Sequence, residues 1–187
     1  MNKQWDPLKA GKALALKSAR KLGLYSVMKR SQWRQRQLLI LGYHGISQLD
    51  EHKWRPALFM SPELFESRME ILSRFGCNVL SLDEAVAHLQ EGTLPPQSVV
   101  ITFDDGYFNF YKYAYPILKR FNFPATVYLT TYYAEARIPV FNLVRSYVLW
   151  KGAGKRVDAR GFVDRGGILD LSTEESIAAA NLEIWRF

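Results

Sequence analysis

Two adjacent carboxylates, Asp104 and Asp105, stand at the end of the clearest strand in the sequence, Ser98-Val99-Val100-Ile101-Thr102-Phe103, and Gly106 follows at once. Neighbouring carboxylates repel each other, so the pair is comfortable only where a cation or a proton relieves it. Along an extended strand, successive side chains point to opposite sides. One carboxylate can therefore face a metal ion while the other faces the water bound to it and takes its proton. Gly106 allows the tight backbone exit that such a crowded site needs. The same residues also make a plain turn, because Asp-Gly pairs are common there. On the residues alone both readings stand.

Few other side chains could join this chemistry. The histidines are His44, His52 and His88. His44 ends an apolar run and could face the same mouth as the aspartates, as a pocket-lining or hydrogen-bonding residue rather than a ligand. His52 lies in a polar stretch beside Glu51 and is expected to be exposed. His88 lies late on a predicted helix and is expected to be solvated. Cys77, the only cysteine, is expected to be a small buried strand residue, and no intramolecular disulfide can form. Tyr132-Tyr133 could stack on a sugar, although an aromatic pair after a strand is more often packing. A phosphoryl-transfer site is disfavoured, since no Gly-rich phosphate loop and no further acidic cluster at a strand end accompanies the doublet.

The elements that must position these residues alternate. Leu38 to Tyr43 is a short continuous apolar run, suited to a strand buried on both faces. A polar loop spans Ser47 to Arg55. Ser61-Pro62-Glu63 opens a helix that ends at Gly76. Cys77 to Leu80 is a strand, and Ser81-Leu82-Asp83-Glu84 is a capping box for a helix to Gln90. Ser98 to Phe103 is the clearest strand. A helix over Asn109 to Arg120 carries Pro116 as a strain on that assignment. Pro124 to Thr130 is a fourth strand. This strand–helix alternation predicts an α/β fold with a parallel sheet or barrel. Phe141 to Trp150 and Thr173 to Phe187 are predicted helices, with an exposed loop or hairpin over Lys151 to Gly167. The apolar last residues, Trp185 and Phe187 among them, suggest a cut end.

Charge divides the chain. Ten of the 25 Lys and Arg, but one of the 18 acids, lie in residues 1–37, which gives that segment +9 and leaves −2 for the rest. The pI near 9.5 thus describes a basic arm, and the body lacks the cationic face that nucleic-acid binding needs. Residues 8–30 are predicted as an amphipathic helix with Leu8, Ala15, Ala19 and Leu22 on one stripe. Such an arm suits an anionic membrane surface, or it packs weakly on the body as a solvated basic helix. No apolar run is long enough for a signal peptide or a spanning helix, so the expectation is cytoplasmic, with membrane association through the arm. The expected domains are the basic helical arm, 1–37, and an α/β body, 38–187. At 48% hydrophobic the chain can form a real core.

Thr102-Phe103-Asp104-Asp105-Gly106 resembles the first motif of the polysaccharide deacetylase family, also known as the NodB-homology domain or carbohydrate esterase family 4. Leu41-Gly42-Tyr43-His44-Gly45-Ile46 is similar to the tyrosine-histidine first strand of many members. Phe123-Pro124-Ala125-Thr126-Val127-Tyr128-Leu129 is similar to the family strand that follows, and its distance from the aspartates matches. The resemblance covers about residues 38–133. It implies a distorted (β/α) barrel, here a partial one preceded by the basic helix. It implies a hydrolase that removes acetyl from the N-acetylated sugars of a polysaccharide or oligosaccharide, with Asp104 as general base and Asp105 as metal ligand. The implied cofactor is a divalent metal, zinc by preference, which lowers the pKa of its bound water to about 7 and holds the developing oxyanion.

The sequence also departs from that family. The His-Ser/Thr-x-x-His pair that supplies two more ligands is absent, since no histidine follows His88. The Arg-Pro loop and the terminal histidine region are absent as well. The resemblance therefore implies one metal ligand of three. Two expectations follow: the chain is the N-terminal, truncated or split part of a deacetylase and inactive by itself, or it is a non-catalytic sugar-binding or membrane-surface-associated descendant.

Overall fold

The computed structural model of the protein describes residues 7–24, 27, 31, 36–160 and 167–184. In chain order its elements are α1 (Pro7–Lys21), β1 (Leu39–Tyr43), β2 (Gly45–Ile46), α2 (Glu51–Trp54), β3 (Phe59–Met60), α3 (Pro62–Arg74), β4 (Asn78–Leu80), α4 (Leu82–Glu91), β5 (Ser98–Phe103), a π-helical turn (Phe110–Ala114), α5 (Tyr115–Phe121), β6 (Thr126–Val127), α6 (Thr131–Ala136), α7 (Phe141–Gly152), β7 (Arg156–Asp158), β8 (Ile168–Asp170) and α8 (Glu174–Ile184). The chain is mixed α/β, as the alternation predicts. Among the described residues no sheet closes into a barrel. The chain divides into two compact units, each assembled from separate segments.

The first unit gathers Met1–Gly42, Ser67–Thr102 and Ile117–Thr126. Its sheet has the order β1-β5-β4, with β6 also paired to β5. β4 and β5 run parallel, with Asn78, Val79 and Leu80 opposite Ser98, Val99 and Val100. All six residues of β5 are buried, the polar Ser98 and Thr102 among them, which suits its largely apolar composition. β1 was expected to be buried on both faces, yet Leu39 and Ile40 are 36% and 54% exposed. Its place at the end of the strand order accounts for this. The predicted capping box forms: the Ser81 Oγ accepts from the Glu84 N–H and the Glu84 carboxylate accepts from the Ser81 N–H at 2.9 Å. Cys77 precedes β4 and is only half-buried, so it is not the buried strand residue expected. Helix α1 ends at Lys21, and Gly23 just beyond it takes a φ of +70°, the left-handed turn that ends helices; Leu24 and Val27 are helical again, and residues 25, 26 and 28–30 of the predicted helix lie outside the described residues.

The second unit gathers Tyr43–Glu66, Phe103–Pro116 and Val127–Phe187. Tyr43, Phe65, Phe103 and Phe110 pack ring against ring, with centroids 4.8–5.6 Å apart. β2 and β3 pair in parallel. Where a loop was expected, Glu51–Trp54 forms the single turn α2, because the Glu51 carboxylate accepts from the Gln48 and Leu49 N–H groups. The helix predicted over 109–120 begins as a π-helical turn and becomes regular only at Tyr115. Pro116 is the reason: its nitrogen has no hydrogen for the Lys112 carbonyl, and a widened turn ahead of it absorbs the mismatch. The fourth strand shrinks to the two residues of β6. β7 and β8 form an antiparallel pair, the hairpin alternative for that region. Leu149, Ala159, Leu169, Leu171 and Ala180 make a separate small core there. Trp185 and Phe187 lie outside the described residues.

Candidate functional site

The site is built on the exit of β5 within the second unit. Asp104 follows the last strand residue directly, and its N–H donates to the Tyr43 carbonyl at 2.8 Å. On the other side, the Tyr128 N–H donates to the Phe103 carbonyl at 2.8 Å. The Thr130 N–H reaches the Asp105 carbonyl at 3.5 Å. The turn is therefore held by backbone on both flanks. Asp105 takes a φ of +70° and Gly106 one of +66°. Aspartate is among the few side-chain-bearing residues that enter this left-handed region, and strain of this kind gathers at functional sites. Gly106 is required for a second reason. A Cβ there would meet Leu129 Cδ1 at 2.5 Å and Leu129 Cα at 3.4 Å.

The left-handed turn separates the two carboxylates. Asp105 lines a cavity of about 620 Å³ together with Arg55, Gly106, Tyr107, Phe108, Leu129 and Tyr133, among others. That volume is in the range of small-ligand sites. The Tyr107 hydroxyl donates to the Asp105 carboxylate. Burial, with that bond and charge behind it, pushes the Tyr107 phenol above its ordinary range, while Arg55 pulls it the other way. Tyr107 thus stays a neutral donor. Its ring stacks on Phe59 with centroids 5.7 Å apart. Asp104 instead has its Oδ2 3.8 Å from His44 Nε2, within ion-pair range when the imidazole is protonated. Both side chains are over a third exposed, so the pair is worth little to stability. Behind His44, the buried Asn109 accepts through Oδ1 from the Ile46 N–H at 3.2 Å, tying β2 to the start of the π-helical turn.

His44 is thus brought to Asp104, and Asp105 to a cavity. His88 was expected to be solvated but is half-buried, with its ring Nδ1 2.8 Å from Thr93 Oγ1. His52 is half-buried rather than exposed; Ser47 Oγ accepts from its backbone N–H at 2.9 Å and lies in hydrogen-bond range of its ring Nδ1, at 3.0 Å. Tyr132 is 64% exposed and meets Tyr133 edge-on, while Tyr133 lines the cavity. Tyr107 and Arg55 were not foreseen. Adjacency to Gly106 was the available signal for Tyr107, whereas nothing in the local pattern marks Arg55.

A zinc site takes three protein ligands and a water. Among the described residues no group of three His, Cys, Asp or Glu side chains is placed to hold a metal ion. The donors present do not make up a zinc centre by themselves.

The family model for polysaccharide deacetylase matches residues 91–164. A poly-β-1,6-N-acetyl-D-glucosamine N-deacetylase of Staphylococcus aureus is 29% identical over 113 residues, 55% of this chain and 39% of the relative. YxkH of Bacillus subtilis, whose name assigns it to the polysaccharide deacetylases, is 37% identical over 93 residues, 49% of this chain and 31% of the relative. Among solved structures, a Streptococcus pyogenes deacetylase in complex with acetate is similar at 29% identity and a TM-score of 0.50, over 59% of this chain and 51% of that one. The chain spans well under half the length of these two curated relatives. The polysaccharide deacetylase resemblance carried by residues 102–106 is thus matched over residues 91–164, which hold β5 and the turn after it.

Proposed function

We propose that this chain, which carries a polysaccharide deacetylase segment, supplies the aspartate half of a site that hydrolyses acetyl groups from an N-acetylated polysaccharide. The observation that carries the reading is the division of labour at the turn: Asp105 enters the cavity, and Asp104 stands apart beside His44. In this reading Asp104 is the general base that takes a proton from the attacking water. His44, which is not among the residues lining the cavity, stands beside Asp104 as its ion-pair partner when protonated. Asp105 is the residue offered to a divalent metal. When bound, such a metal would acidify water and hold the oxyanion. One carboxylate cannot hold it, so the full reaction needs donors beyond those gathered here, and the 187 residues alone are inactive.

The test is a binding and release experiment with β-1,6-linked N-acetylglucosamine oligomers, the polymer named for the staphylococcal relative. The chain is expected to bind the N-acetylated oligomer in preference to its de-N-acetylated counterpart and to release no acetate, with or without zinc. Equal binding of both oligomers counts against the deacetylase reading. Zinc-dependent acetate release counts against the incomplete site.

A second, non-catalytic reading has its own observation. Leu14, Leu16 and Leu22, on or just past α1, are 68%, 58% and 74% exposed in a segment that carries the chain's excess positive charge. Residues 1–37 would then act as an arm on an anionic membrane surface, apart from the body 38–187. No helix among the described residues is long and apolar enough to cross a membrane.

A further inference from the structure

Three aromatic rings leave the site along one face of the helical segment that follows it. Phe108, Tyr111 and Tyr115 are spaced three and four residues apart, the spacing that places side chains on one helical face. They are 65%, 67% and 46% exposed. Phe108 and Tyr111 have centroids 6.3 Å apart, and Tyr111 and Tyr115 lie 6.1 Å apart with planes only 10° from parallel. The residues that serve the core from this segment are others, notably Ala114, which is fully buried. No acidic residue occurs between Tyr107 and Phe121. The row begins at the cavity, since Phe108 lines it beside Asp105 and Gly106.

Exposed apolar rings grouped in this way are costly in water and mark ligand or partner surfaces. A row of rings at regular spacing is also how proteins hold an extended polymer, one unit per ring, without reading each unit by hydrogen bonds. A pyranose ring presents a C–H face that suits an aromatic plane, with its hydroxyls left in water. We propose that Phe108, Tyr111 and Tyr115 form a stacking track that holds the polysaccharide chain on one side of the deacetylation site, with successive sugars on successive rings. The proposal rests on the deacetylase reading for the identity of the sugar. The track itself rests on the rings and their continuity with the cavity. A second copy of this chain is the other occupant such a face could take, and the experiment separates the two.

The experiment compares wild type with Tyr111→Ala/Tyr115→Ala and Tyr111→Phe/Tyr115→Phe. Each is titrated with N-acetylated β-1,6-glucosamine hexamer, its de-N-acetylated form and the monosaccharide, with circular dichroism as the check on folding. Removing both rings is expected to weaken hexamer binding by roughly tenfold or more. Monosaccharide binding should be unchanged, and the phenylalanine variant should behave like wild type. Binding of the hexamer should also be insensitive to salt, because the track is uncharged. If the alanine variant weakens both hexamers equally and wild type shows no preference between them, the track stands and the deacetylase reading fails. If wild type prefers the N-acetylated hexamer and the alanine variant binds it equally well, the track fails and the reading survives. No hexamer binding by wild type, or concentration-dependent self-association that the alanine variant abolishes, also overturns the track.

Discussion

At Gly106 two requirements meet in one residue, a left-handed φ of +66° and the absence of a Cβ against Leu129. Gly106→Ala therefore faces backbone strain together with a clash against the Leu129 side chain, which must shift, and is expected to lose about 1–3 kcal/mol in urea unfolding. Asp105 bears the left-handed conformation without glycine's freedom, and next to Asp104 it bears like-charge repulsion too. Asp105→Gly removes both penalties. Its thermal midpoint is expected to rise above wild type, while the preference for N-acetylated oligomer falls; a lowered midpoint would mean the turn is not strained. The strand-end positions of Asp104, Asp105 and His44 were legible in the sequence from residue type and the preceding apolar runs, whereas the approach of His44 to Asp104, outside the cavity lining, was not. The split between the two carboxylates was legible only as strand alternation. The structure achieves it differently, by a left-handed φ at Asp105 and a hydrogen bond from Tyr107. Arg55 could not be found in this way, since its approach to the cavity depends on the turn α2 and the chain after it, which no periodicity announces.

Elements with strong end signals formed where the sequence put them. The Ser81–Glu84 capping box fixes α4, and the hydrogen bonds to the Glu84 carboxylate hold it below the usual carboxylate range, the Ser81 N–H first among them. A depressed carboxylate stabilises the fold above its unfolded pKa and loses that contribution as pH falls through the folded value. Glu84→Gln is therefore expected to lower the thermal midpoint at pH 7 and to match wild type near pH 3; an equal difference at both pH values would show that charge is not involved. Elements that depend on tertiary partners were less legible. β1 has the composition of an interior strand but lies at the end of its sheet, and only strand order, which sequence does not reveal, makes that difference. β6 is cut to two residues although the apolar pattern continues through Leu129, because pairing, and not pattern, sets strand length. The π-helical turn was hinted at by Pro116 alone. Phe103 marks where the element scale meets the site, since it ends β5 and its ring touches Tyr43, Phe65 and Phe110. Phe103→Ala is expected to cost about 3–5 kcal/mol in denaturant unfolding. A smaller loss would mean that the aromatic cluster closes over the gap.

Along the whole molecule charge is unevenly distributed, and at the N-terminal end the excess of cations accompanies exposed leucines, although exposed apolar side chains also occur throughout the body. Residues 1–37 hold the excess of cations, while the remainder is slightly acidic. Helix α1 ends with Arg20 and Lys21 in its last turn, where cations favour the helix dipole, and its leucines stand exposed beside them. An exposed helix of this composition gains from a surface that offers both negative charge and an apolar layer, and a lipid bilayer with anionic headgroups offers both. Each Lys or Arg near such a surface contributes roughly 1 kcal/mol, and the attraction decays within a Debye length of about 10 Å at 0.1 M salt. The chain is therefore expected to co-sediment with phosphatidylglycerol-containing vesicles and not with pure phosphatidylcholine, and to be released as salt is raised. Leu14→Ser/Leu16→Ser should weaken that binding without altering its salt dependence, since it removes insertion and leaves the charge. Binding that ignores salt would remove the arm from the explanation. Binding that needs the charge but ignores both leucines would reduce the arm to a polycation, and α1 would then owe its exposed apolar residues to some other contact.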